Sequence, residues 1–186
     1  NALSAGMLDA LQAELDRLDQ DADARFVILA AAGKAYCTGH DLREMRADPS
    51  QQYYERLFAT CAKMMMTIQR LSKPVVAEVH GVATAAGCQL VAMCDLAVAA
   101  EGSRFAVSGI NLGLFCSTPS VALSRNVSRK HALEMLLTGD FISAEEARDY
   151  GLINRVVPAD ALQSATEALA QRIVAKPQIA IEMGKR

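Results

Sequence analysis

Apolar positions along this chain follow two rhythms. Behind Ser4, a residue suited to capping a helix, Leu8, Leu11, Leu15 and Leu18 recur at helical spacing with acidic residues between them. Residues 26–31 are instead an unbroken apolar run of strand length, followed by a turn at Ala32-Gly33-Lys34 and a polar, glycine-containing loop over 36–42. A helix is predicted over 49–71, carrying Leu57, Cys61, Met64, Met65, Ile68 and Leu71 on one face. Its methionines read as core filler rather than as an adaptable ligand wall. Lys73-Pro74 ends that helix, and Val75 to Val79 form a strand. A loop of small residues, 81–87, then opens a buried helix over 88–93. Strands follow at 96–99 and 104–107, and helices at 118–126 and 129–137. Ser143-Ala144-Glu145-Glu146 has the form of a capping box, 153–157 a strand, and 159–175 one long amphipathic helix. Strand and helix alternate throughout, which predicts an α/β fold in a single domain over 1–186.

Charge and composition exclude several partners. Nineteen basic against 21 acidic residues give a net charge of −2, so no positive excess draws the chain to nucleic acid or to an anionic membrane. The longest uncharged run, 81–94, is too short for a membrane span. The five cysteines are odd in number and form no CxxC pair, which argues against a disulfide framework and a metal site and for free thiols in a reducing compartment. Asn1-Ala2-Leu3 leads straight into a helix, unlike a signal peptide. The natural protein is expected to extend beyond both ends. A cytoplasmic location of bacterial type is expected, or a mitochondrial one if a transit peptide precedes Asn1.

Candidate chemistry gathers in two loops that follow apolar strands, 37–41 and 81–87. Ligands of α/β proteins bind at strand ends, and small residues let them approach the backbone. A helix beginning near Ala86 would turn its unpaired N–H groups toward the loop, where they suit developing negative charge. The same small residues also serve close packing.

These stretches resemble the crotonase superfamily, which includes the enoyl-CoA hydratases and isomerases. The resemblance rests on residues 75–96, with His80-Gly81, the triplet Thr84-Ala85-Ala86, and Cys94-Asp95 closing an apolar helix. It extends to 36–45, 136–147 and 151–157 in the family's order. It implies a spiral of ββα units and C-terminal helices that build homotrimers, often hexamers. It also implies a coenzyme A (CoA) thioester as ligand, with no tightly bound cofactor and no metal. Backbone N–H groups of His40 and Ala86 map to the oxyanion hole, and Cys37, Thr38, His40, Asp41 and Leu42 to the loop along the CoA nucleotide.

The family's two catalytic carboxylates map to Gln89 and Gly109, and neither is an acid. Gln89 can hold a water but cannot take its proton, and Gly109 has no side chain. The chain thus resembles a divergent member lacking both glutamates, in which ordinary hydration is doubtful while thioester binding is retained. A carboxylate at 109 is expected to fit unless that glycine has positive φ. His40 is read as a solvent-facing loop histidine rather than a substitute base, and Asp41 as a loop cap. Ser108, Asn111, Cys116 and Ser117 cluster near the reacting position, with Cys116 read as a buried filler. His80 and Asp95 are read as turn residues and His131 as surface or interface. Three functions follow: an enolate-stabilising acyl-CoA enzyme of hydratase or isomerase type, an inactive acyl-CoA-binding or assembly subunit, and a Clp-type peptidase. The last needs a serine that 85–88 lacks.

Overall fold

The computed structural model describes residues 1–185. Ser4 caps α1 (Ala5–Gln20) by accepting a hydrogen bond from the Met7 N–H, and Leu8 and Leu15 are buried. The α1 helix packs on α3 (Gln51–Arg70), whose row Leu57, Cys61, Met64, Met65 and Ile68 is wholly buried, so the methionines are core. Between these helices stand β1 (Val27–Leu29) and a short helix α2 (Leu42–Ala47), absent from the sequence expectation. Only six residues long and burying none of them, α2 leaves no apolar period to read.

Two sheets share the remaining strands. The first has the order β1-β2-β4-β7, all parallel, with β2 at Val75–Val79, β4 at Leu96–Ala100 and β7 at Arg155–Val157. The second runs β3-β5-β6, from Val82–Thr84, Arg104–Ala106 and Ile142–Ser143. The predicted small-residue loop over 81–87 is therefore in part a strand, β3, with Ala83 fully buried opposite Phe105. A three-residue strand is too short for its alternation to register. Gly81 makes the corner between the sheets at φ +63°, and a Cβ there would lie 2.4 Å from the Lys34 carbonyl oxygen. Gly102, at φ +78°, turns the chain from β4 to β5. Two passes lay one strand in each sheet before a helix follows, β2-β3-α4, where α4 is Ala86–Met93, and β4-β5 ahead of a 3₁₀ turn and a helix.

Two helices follow the predicted bounds closely, α5 (Ser117–Asn126) and α6 (Arg129–Thr138), and α7 (Ala144–Tyr150) starts where predicted, with a complete Ser143–Glu146 capping box. The predicted helix over 159–175 is a 3₁₀ turn, Ala159–Ala161, and then α8 (Leu162–Val174). Its apolar face covers the chain's own first sheet, where Leu162, Ala165 and Leu169 meet Val76, Val98 and Ala100. The final helix, α9 (Gln178–Lys185), buries no residue but is pinned by Lys185, whose Nζ donates to Ile68 O, Lys73 O and the Asp95 carboxylate. Among the described residues no helix is long and apolar enough to cross a membrane.

Candidate functional site

The loop over 37–41 is laced to β3. Cys37 N–H donates to Val82 O and Thr84 N–H to Cys37 O, at 3.1 and 2.9 Å. Two glycines let this loop close on the start of α4. A Cβ on Gly87 would lie 2.1 Å from the Cys37 carbonyl oxygen. One on Gly39, which has φ +88°, would lie 3.0 Å from Ala85 Cβ and 3.4 Å from Ala86 N. The backbone on either side of His40 is fixed by Leu3, which donates to Gly39 O and accepts from Asp41 N–H. The His40 N–H between them has no acceptor among the described residues. Ala86 is the first residue of α4, so its N–H has no partner within the helix. Ahead of it Ala85 holds φ 52°, ψ −122°, a conformation that costs an alanine about 1–3 kcal/mol. The helix dipole adds positive character at the Ala86 N–H.

The His40 side chain departs from the sequence expectation. It turns inward: Nδ1 is buried without a partner, and the ring meets Phe58 of α3 edge-on at 5.5 Å. Burial holds the imidazole below its ordinary pKa of 6.5. The neutral form therefore contributes stability that is complete above the unfolded value and is lost as pH falls through the folded one. Urea unfolding from about pH 7 to about pH 5 should show the wild type losing stability that His40→Gln retains. Equal pH dependence of the two proteins would contradict this.

The family's acid positions are uncharged. Gln89 lies one turn into α4 and is only 7% exposed. Gly109 belongs to a 3₁₀ turn, Ser108–Leu112. Its φ is not positive, contrary to the obstacle the sequence suggested. The obstacle is steric: a Cβ there would lie 2.6 Å from Cys116 Sγ and 2.7 Å from Leu114 O. Cys116 is the buried filler expected, its thiol donating to Val107 O. Sequence reasoning did not single out Thr84, whose Oγ1 lies 2.8 Å from Ser108 Oγ across the ends of β3 and β5. Only pairing of the two strands brings these hydroxyls together, 24 residues apart in the chain.

Most of the other singled-out residues make contacts within the fold. Asp41 caps α2 through the Arg43 and Glu44 N–H groups. His80 Nε2 pairs with Gly33 O at 2.8 Å, and Asp95 accepts from Val75 N–H at 2.7 Å. Asn111 donates to Gly139 O, Ser117 is exposed at the start of α5, and His131 stacks on Tyr150. Within the loop over 37–42, Thr38 and Leu42 are exposed, while Cys37 is buried with both main-chain groups bonded. All five cysteines are free and buried. Burial pushes Cys61 up to about 11, and Cys88 and Cys94 to about 12. Among the described residues no group of three or more His, Cys, Asp or Glu could hold a metal ion.

Comparison with known proteins gives a consistent result. The sequence profile described as "Enoyl-CoA hydratase/isomerase" matches residues 1–186. A Xenopus laevis relative, "Enoyl-CoA hydratase domain-containing protein 3, mitochondrial", is 49% identical over all of this chain and 63% of its own length. A crystal structure of an enoyl-CoA hydratase from Mycobacterium smegmatis superposes with a TM-score of 0.97 at 63% identity, covering 99% of this chain and 72% of that one. The human enoyl Coenzyme A hydratase domain-containing protein 3 superposes with a TM-score of 0.95 at 47% identity, covering 99% and 73%. The chain spans slightly less than two thirds of the Xenopus relative.

Proposed function

Because this chain belongs to the enoyl-CoA hydratase/isomerase family, we propose that it binds acyl-CoA thioesters and stabilises their enolate between the His40 and Ala86 amides. The observation that carries this reading is that two N–H groups without a backbone acceptor belong to segments in close contact, a Cβ on Gly39 lying 3.4 Å from Ala86 N, and each is fixed by backbone rather than by a mobile side chain. An N–H donor preorganised toward developing oxyanion charge contributes about 2.7–4 kcal/mol to a transition state. The loop over 37–42 runs along the CoA nucleotide. Thr38 and Leu42 offer side chains to it, and Cys37 serves as framework. Calorimetry of the full-length protein against acetyl-CoA and longer acyl-CoA thioesters should show binding. Absence of heat at every chain length would refute it.

A second reading, binding without ordinary hydration, is favoured by the chemistry at 89 and 109. An amide and a side-chain-free position cannot move the two protons that hydration requires. Under this reading the protein is an acyl-CoA-binding or assembly subunit.

We further propose a homotrimer or a dimer of trimers. The support does not lie on α8, the helix within the predicted 159–175 stretch, because its apolar face is occupied by its own sheet. Leu112, Leu114, Phe115 and Leu137 are instead exposed on and beside the turn that packs on α6. Light scattering of the full-length protein should give at least three times the protomer mass, and a monomer mass would contradict it. The mitochondrial relative supports the mitochondrial branch of the location expected from sequence, and five free thiols suit a reducing compartment.

A further inference from the structure

The first sheet separates two sides of the molecule. Val75, Ala77 and Val79 of β2 pack in the core that includes Leu90 and Val91 of α4, while Val76, Val98 and Ala100 face α8. Arg155 opens β7, the outer strand of that sheet, in register with Val98. Residues paired across neighbouring strands point to the same face, so Arg155 points to the side of α8. On α8 the apolar row through Ala165 and Leu169 runs on at helical spacing into Arg172 and Ile173, and Lys176 follows the helix end. Together with α9 these elements line an open cavity of about 390 Å³, within the range of small-ligand sites. Its walls include Leu169, Ile173 and Ile181, and its charged members are Arg155, Arg172 and Lys176. Among the described residues, no acidic or aromatic one lines it. Cations gather at helix C-termini to meet free carbonyls. Here Arg25 does that, donating to Val174 O and Lys176 O at 3.5 and 3.1 Å. Arg155, Arg172 and Lys176 join no ion pair among the described residues. Three like charges around one cavity repel one another until an anion joins them.

We infer that this cavity binds a free fatty carboxylate, on the opposite face of the first sheet from α4. The head accepts from the guanidinium forks of Arg155 and Arg172, whose paired N–H groups match the two carboxylate oxygens, and Lys176 adds charge. The alkyl tail lies along Leu169, Ile173 and Ile181. A nucleotide base would find no aromatic ring to stack on here, and an inorganic anion would leave the apolar walls in water.

Calorimetry of the full-length protein with decanoate tests this. Decanoate should bind, and acetate, inorganic phosphate and decanol should each bind at least about tenfold more weakly, for want of the tail or of the charge. From hexanoate to decanoate the affinity should rise by up to about fourfold per methylene. Arg155→Gln and Arg172→Gln should each weaken decanoate by about tenfold or more, since a hydrogen bond to a charged group is worth at least that factor. Arg129→Gln removes the same charge from α6 and should leave the affinity unchanged. Saturating acetyl-CoA should not displace decanoate. Absence of decanoate binding, or an affinity no greater than that of acetate, phosphate or decanol, overturns the ligand class. Displacement by acetyl-CoA, full affinity in both Arg155→Gln and Arg172→Gln, or an equal loss in Arg129→Gln overturns the assignment to this cavity.

Discussion

Gly87→Ala is expected to destabilise the protein by about 3 kcal/mol, the upper end of ordinary overpacking. For a chain of this size that corresponds to a fall in Tm of about 6–12 °C. The methyl would arrive 2.1 Å from the Cys37 carbonyl oxygen, 2.7 Å from its carbon and 2.8 Å from Cys37 Cβ. Two of these three atoms are backbone, fixed by the hydrogen bonds between the loop and β3, so relief requires prising the loop from α4. That movement would separate the His40 and Ala86 amides, and thioester affinity should fall with stability. Helix propensity alone predicts the opposite sign, alanine being better than glycine by up to about 1 kcal/mol. Gly6→Ala in α1 is the contrasting case: nothing lies within 4 Å of its Cβ position, and a gain of about 0.5–1 kcal/mol is expected. Urea and thermal unfolding of both variants decide the matter. A stabilised Gly87→Ala would show that the two loops are not in contact.

The wild type is expected to hydrate crotonyl-CoA about 10²–10⁴-fold more slowly than a site with a positioned acid–base group, because neither Gln89 nor Gly109 can move a proton. Gln89→Glu should recover part of this, since glutamate differs from glutamine by one terminal atom and occupies the same buried place on α4. Gly109→Glu should recover nothing and should lower stability, because its first side-chain carbon meets Cys116 Sγ and Leu114 O. Removing the thiol does not cure this, for the Leu114 carbonyl remains at 2.7 Å. Loss of the enoyl-thioester absorbance measures all three proteins. Wild-type turnover at ordinary enzyme rates would overturn the argument and turn attention to His40, the imidazole of the 37–41 loop.

Most of the fold was legible in the sequence because its longer elements are strongly periodic. Leu57 to Ile68 mark one face of α3, and the runs at 75–79 and 96–100 are strands buried on both sides. What escaped was short. β3 and β6 have three and two residues, and α2 buries nothing. The positions of the candidate site were legible only through the resemblance, which placed His40, Ala86, Gln89 and Gly109 by order along the chain. What surrounds them depends on contacts across the chain that spacing cannot carry. The inward turn of His40 needs Phe58, the blockage at Gly109 needs Cys116, and the Ser108 hydroxyl needs Thr84. The origin of the α8 surface was equally invisible: an amphipathic stripe reads the same whether it covers its own sheet or a neighbour's.

The five buried thiols make the protein its own clock. A thiol-directed alkylating reagent needs an exposed thiolate, and Cys61, Cys88 and Cys94 offer neither while folded. Each labelling rate therefore counts how often one part of the molecule opens. Cys37 reports the loop against β3, Cys61 the α3 core, Cys88 and Cys94 the two ends of α4, and Cys116 the packing at Gly109. Mass-resolved labelling with and without an acyl-CoA would then locate, without any engineered probe, which of these regions a bound thioester holds shut.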